Sequence, residues 1–459
     1  MKKTILNLVS NRIARIGVLS LAILFVAASC TEKEEMLPET QEFDSMMSIT
    51  ETLENYSEEI EFTEKGDGEF KSFRKYRKVP TFRTLVVALV KTRLIGTVAR
   101  ERLTVLAPTD AAFRELGITP WNVGQVDNLK EILLYHVFGE EVYSYDLMPG
   151  FAETLNGASV NVSLEGGVFF NDAEVKKADV RALNGVIHII DKVLLPPAMD
   201  IVDKAISFNP GEFNTLVQAV VAAELVDVLK SDGPFTVFAP TDEAFAKLGV
   251  DLSTLSKEDL TKILLYHVVP GKVFSTDLSN SFVKTAGGLY VEVNTDNGAM
   301  INSSKVIIPD VQTTNGVIHA IDEVLLPPDM DIVDKAISFN PSEFNTLVNA
   351  VVTAGLVETL KGDGPFTVFA PTDQAFADLG VDLSTLSKED LTKILLYHVV
   401  PGTFFSSDLE NGNVATALGQ TVSISLNGGV FVNDSQVVIP NVQTTNGVIH
   451  VINKVLMPQ

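Results

Sequence analysis

The chain has 459 residues, of which 35 are basic and 59 acidic, a formal charge of −24 at pH 7. At roughly 100–200 residues per domain this is two to four domains, and 46% apolar with 20% charged residues is the composition of a folding chain. The acid excess excludes nucleic acid as the main partner, and the single cysteine, Cys30, excludes a disulfide framework, a CxxC redox pair and a cysteine-based zinc site.

The N-terminus reads as an address. Lys2, Lys3, Arg12 and Arg15 precede an apolar run over 16–26, and the small residues Ala27, Ala28 and Ser29 lead to Cys30. A basic start, a short apolar core and a small-residue exit predict a secretory signal peptide over 1–29, and the run is short for a membrane span. The exit resembles a bacterial lipobox, which implies lipid attachment at Cys30 and a membrane-tethered mature chain. The acid-rich stretch 31–35 that follows, Thr-Glu-Lys-Glu-Glu, resembles an export tag of Gram-negative lipoproteins destined for the outer face of the outer membrane. Residues 31–70 hold fourteen acidic and two basic side chains. Like-charge repulsion predicts an extended acidic tether over 30–66, in which 49–60 has the makings of a short helix. Residues 71–102 then reverse the sign, with ten basic residues against one acidic. Neutralisation by the preceding tether accounts for them, and contact with acidic lipid or polysaccharide is the alternative.

Beyond this point the chain repeats. All six histidines fall into two series, His136, His267, His398 and His188, His319, His450, each with a spacing of 131 residues. A period of that length is a tandem array of whole domains. Residues 251–271 and 382–402 are identical, whereas the first copy diverges. Counted back from the C-terminus, the first copy starts near Asp67.

Within the second copy, the apolar positions of 213–229 predict a helix, and 233–240 a short buried strand that ends at Pro240. Thr241-Asp242 opens a helix, and Ser256 starts another that carries Leu260, Ile263, Leu264 and His267 on one face. Residues 289–326 alternate as strands, broken by Asn297-Gly298 and Asn315-Gly316 turns, with 317–321 a central strand. The sum is an α+β domain, helices first and an antiparallel sheet after.

Gly-Pro-Phe-Thr-Val-Phe-Ala-Pro-Thr-Asp, Tyr-His-Val-Val-Pro-Gly and Asn-Gly-Val-Ile-His occur in that order in the second and third copies. The first copy keeps Ala107–Asp110, Tyr135-His136 and Asn184–His188 but has Arg102-Leu103 for Pro-Phe and Phe138-Gly139 for Val-Pro. This series resembles the fasciclin domain. The resemblance implies three tandem β-wedges flanked by helices, over 67–198, 199–329 and 330–459, of a kind used in extracellular adhesion and matrix proteins. The short linkers 196–209 and 327–340 are alike, which predicts one relative geometry for successive repeats.

Tyr135-His136, Tyr266-His267 and Tyr397-His398 match a step through which some animal relatives recognise integrins, and they are candidates for either an adhesion contact or core fixing. Pro328-Asp329-Met330-Asp331-Ile332 shares the composition of the family's second such segment but not its order. Asp110, Asp242 and Asp373, with His188, His319 and His450, are candidate structural polar residues, and a backbone carbonyl or Asp242 is the expected partner of one nitrogen of His267. There is no HExxH, GxSxG or DxDxDG pattern, so no catalytic residue, metal or cofactor is predicted. The expected function is non-enzymatic adhesion from a lipid anchor, with an extracellular protein, a cell surface or a polysaccharide as partner. The alternative is a surface glycan-binding accessory of an outer-membrane uptake system.

Overall fold

A computed structural model describes residues 47–56, 61–66, 69–74, 81–208, 212–250, 254–339, 343–380 and 385–458. The signal peptide, Cys30 and the acid-rich stretch 31–35 lie outside these. From Ser48 onward the chain forms one compact unit, and no helix among the described residues is long and apolar enough to cross a membrane.

The second repeat shows how the unit is built. Asp200 caps the helix Ile201–Ser207 by accepting from the Asp203 backbone. The predicted helix over 213–229 is two helices, Asn214–Ala222 and Val226–Leu229, because Glu224 takes a left-handed conformation (φ 57°) that ends the first. The strand Phe235–Pro240 follows, then the helices Asp242–Leu248 and Lys257–Tyr266, whose N-caps are Thr241 and Ser256. Six further strands complete a seven-stranded sheet in the order Val268–Pro270, Phe235–Pro240, Gly316–Ile321, Ser304–Thr313, Met300–Ile301, Tyr290–Asn294, Ser281–Lys284.

The sheet departs from the antiparallel expectation at one pairing. Phe235–Pro240 inserts between the edge strand Val268–Pro270 and Gly316–Ile321 and runs parallel to the latter, with Phe238 opposite His319. An apolar run buried on both faces needs a partner along each edge, and the intervening helices bring the chain round to supply it. Two register shifts within Ser304–Thr313 bend the sheet into a wedge. Val237, Ala239, Ile318 and Ala320 face the helices, while Phe238, Val291, Val293, Ile301 and Ile321 fill the inside of the wedge with Tyr266.

The first repeat begins earlier than the period implies. Ile49–Asn55 is a helix with a Ser48–Glu51 capping box, and Ile49 and Leu53 are buried in the first repeat's core. The Ile49 N–H donates to Asn184 Oδ1, as Ile201 does to Asn315 and Ile332 to Asn446. Part of the stretch read as tether is therefore the opening helix of a domain. Ile49 lies 152 residues before Ile201, whereas Ile201 lies 131 before Ile332. The extra length holds a hairpin, Glu61–Gly66 with Glu69–Arg74, found in this repeat alone among the described residues. Its register sets Glu61 opposite Arg74 and Glu64 opposite Lys71, acidic strand beside the start of the basic stretch. Leu53 also stands where the other repeats have Ala205 and Ala336, each of which borders an apolar cavity of about 40 Å³.

Candidate functional site

The Tyr-His steps close the helices Leu129–Leu134, Lys257–Tyr266 and Lys388–Tyr397. Tyr135, Tyr266 and Tyr397 are buried inside their wedges. Each hydroxyl donates to a carbonyl across the wedge, at Ser159 (2.8 Å), Tyr290 (2.7 Å) and Thr421 (2.9 Å). Each also accepts from an asparagine in a left-handed turn: Asn171, Asn302 or Asn433. Burial raises the pKa of Tyr135 and Tyr266. The asparagines escaped the sequence analysis, although their 131-residue spacing was there to find.

His267 ties two elements together. Its Nδ1–H donates to the Ile263 carbonyl at 2.8 Å, an orphan acceptor of the helix end, and its Nε2 accepts from the Leu325 N–H at 2.9 Å. His136 does the same between Ile132 and Leu194, and His398 between Ile394 and Leu456. Asp242 is not the partner of His267. Its carboxylate accepts from the backbone of Thr215 (2.7 Å) and Asn214 (3.3 Å), capping a helix whose own N-cap, Phe213, has no side-chain oxygen to offer. Asp110 and Asp373 cap Arg83–Lys91 and Asn345–Ala354 likewise. Burial pushes the Asp110 carboxyl up, but bonds from Thr81, Thr84 and Arg83 outweigh it and hold the group below its ordinary value.

Burial lowers His136, His267 and His398 to about 4 from an ordinary 6.5, against the smaller opposite effect of the backbone bond. The unfolded chain then binds protons between pH 6.5 and 4 that the folded chain refuses. Stability is fully present above pH 6.5 and falls as pH drops through 4, by on the order of 3 kcal/mol per histidine. The expected result is a melting temperature that declines between pH 7 and 4, above the range in which Asp110 titrates. A flat profile over that interval, with the imidazole signals titrating in the folded state, contradicts it.

The second histidine series sits in a cluster of serine, histidine and aspartate. The Ser275 N–H and hydroxyl both donate to the Asp310 carboxylate, the Asp310 N–H donates to His319 Nδ1 (3.2 Å), and His319 Nε2–H donates to the Val273 carbonyl (2.9 Å). Such a histidine has no lone pair left for a serine proton, and the serine bonds the carboxylate instead. His188 with Ser144 and Asp179 repeats the arrangement. In the third repeat Asn441 replaces the aspartate and still holds Ser406, donating 2.8 Å to its hydroxyl, while its N–H meets His450. The cluster thus keeps its shape in the third repeat without the carboxylate charge. Burial lowers the pKa of His188, His319 and His450.

What the cluster holds is the loop carrying Phe274. Thr236 Oγ1 accepts from the Val273 N–H, so the loop is fixed at 273 on both sides and again at Ser275. Phe274 stacks on Phe151 of the preceding repeat at 3.9 Å between ring centres and 6° between planes. Phe405 stacks on Phe282 at 3.9 Å and 5°, with Tyr290 edge-on at 5.0 Å. Lys272 Nζ also donates to the Gly157 carbonyl across the first seam. Successive repeats thus meet through one repeated contact, which the sequence analysis did not single out. Among the described residues no group of three or more His, Cys, Asp or Glu could hold a metal, and every buried side-chain polar atom has a partner.

The fasciclin domain model matches residues 80–196, 211–327 and 342–458. Human periostin is 30% identical over 369 residues, 77% of this chain and 43% of its own length. Pig transforming growth factor-beta-induced protein ig-h3 is 29% identical over 391 residues, 82% of this chain and 56% of its own. The uncharacterized protein sll1735 of Synechocystis is 47% identical over 125 residues, 26% of this chain and 94% of its own length. The chain spans about half the length of the first two. With its motifs, its three wedges and these matches in agreement, the chain belongs to the fasciclin-domain family and carries three tandem members.

Proposed function

We propose that the chain is a non-enzymatic adhesion protein of the bacterial envelope, anchored through lipid on Cys30 and displaying three fasciclin repeats from the outer membrane of a Gram-negative cell. The partner is an extracellular protein or a neighbouring cell surface. The observation that supports this reading is the repeated seam. Two stacks of near-equal geometry hold the repeats in register, so weak sites on successive repeats are presented in fixed relation. Under that condition avidity exceeds single-site affinity by about 10²–10⁴. The Tyr-His steps support the array from inside, since Tyr266 and His267 are buried, and the contacts themselves lie on the outer surface of the repeats.

The test uses cells that carry the chain, cells that lack it and cells with Cys30→Ala. Attachment to protein-coated surfaces or to one another is expected in the first alone, with the C30A chain released from the membrane. Equal attachment of all three sinks the proposal. A glycan-binding role draws on one observation, Trp121, 93% exposed and found only in the first repeat. Retardation of the chain in native gels by one polysaccharide, lost in Trp121→Ala, would put that role first.

A further inference from the structure

The seam joins two different surfaces. One is the sheet-edge strand of a repeat, Gly150–Glu153 or Ser281–Lys284, which offers Phe151 or Phe282. The other is the loop of the next repeat, which offers Phe274 or Phe405. A contact between unlike surfaces does not close on itself, and it continues for as long as both surfaces recur. Three repeats therefore leave one strand surface over at the end of the chain and one loop surface over at its start, and two copies of the chain would join there.

The two leftover surfaces have changed. On the final edge strand, Gly412–Ala415, the position of Phe151 and Phe282 is Asn413, which is exposed. Thr421 stands where Tyr290 lies edge-on to Phe405, and Ala415 where the second repeat has Lys284. On the first loop, Tyr143 occupies the place of Phe274 and Phe405, and its ring already has partners within its own repeat. Tyr145 stacks on it at 5.4 Å and 6°, and the Arg181 guanidinium lies 5.8 Å from its centre. The other repeats have Thr276 and Ser407 for Tyr145, and Gln312 and Gln443 for Arg181. Thr276 sits against the preceding repeat: a Cβ on Gly150 would lie 3.6 Å from its Oγ1. A tyrosine at that place takes up the space an incoming strand needs.

We propose that Asn413 at one end, and Tyr145 with Arg181 at the other, are stops that confine the seam to the interior of the chain and keep separate copies from joining head to tail. The surface that a second copy would use is withheld from it.

The test is sedimentation velocity on the purified full-length chain and three variants, from low to high micromolar concentration, with circular dichroism as a check on folding. The wild-type chain is expected to sediment as one species at every concentration. Asn413→Phe with Tyr145→Thr is expected to sediment faster as concentration rises, associating at least tenfold more tightly than wild type, and Asn413→Phe alone less so. Adding Tyr143→Ala to the double variant is expected to return it to the wild-type coefficient. The proposal is overturned if the wild-type chain already associates through these ends. It is equally overturned if the folded double variant keeps the wild-type coefficient, or if its association survives Tyr143→Ala.

Discussion

Gly316→Ala is expected to destabilise the second repeat severely. Gly316 begins the central strand directly beside Phe235, and a Cβ there would lie 2.0 Å from the Phe235 carbonyl oxygen and 3.0 Å from its nitrogen. The obstacle is backbone, paired in the middle of a sheet, so no side chain can rotate away and relief requires the parallel pairing to separate. The loss is about 4 kcal/mol or more, enough to exhaust much of one domain's stability. A Cβ on Gly185 or Gly447 would lie 1.9 or 2.0 Å from the oxygens of Leu103 and Phe366, so the same substitution is expected to destabilise the first and third repeats as much. Gly249→Ala is the control. That glycine ends a helix at φ 65° with nothing within 4 Å of its Cβ position, and only the conformational cost of about 1–2 kcal/mol remains. Because three domains need not unfold together, the measurement is chemical denaturation resolved by repeat, for instance by hydrogen exchange. An unaltered second repeat in Gly316→Ala would refute the steric account.

His267→Ala has the second largest expected effect. It opens a cavity in a packed core and leaves the Ile263 carbonyl and the Leu325 N–H without partners. Together these cost about 3–5 kcal/mol. His267→Phe restores volume but not the bonds, and is expected to lose about 2 kcal/mol, since a buried unpaired group costs roughly 1–3. These variants also separate the two roles open to the Tyr-His step. If adhesion falls only as far as the folded fraction falls, the step fixes the core. A His267→Ala chain that unfolds like wild type yet no longer attaches would make it a contact, against the burial seen here.

The fold was legible wherever the information was local or periodic. Caps at Thr241 and Ser256, the turn at Asn315-Gly316 and the central strand at 317–321 all follow from neighbouring residues. Long-range bonds were not. Asn315 reads as a turn residue, yet its side chain accepts from Ile201 and donates to the Leu229 and Ser231 carbonyls, partners up to 114 residues away. Asp242 reads as the first residue of its own helix, and its side chain caps another. The helix Ile49–Asn55 falls within the short helix expected over 49–60, but its place in the first repeat was hidden because the hairpin after it breaks the period and its setting is acidic. The seam rings lay in plain view at the repeat spacing, but a phenylalanine in a loop or on an edge strand carries no local sign of what covers it.

The placement of the seam also governs how such a chain changes length. The identical stretches 251–271 and 382–402 lie just before the loops of Phe274 and Phe405. An unequal exchange between them joins the front of the third repeat to the back of the second, which carries both Phe274 and Phe282, and leaves the original third repeat, with Asn413, at the end. The product gains a whole repeat with both of its contact surfaces, and the reciprocal product loses one. Lengthening or shortening by recombination thus preserves the terminus and requires no new interface, so the reach of the array can change in whole steps while its tip stays the same.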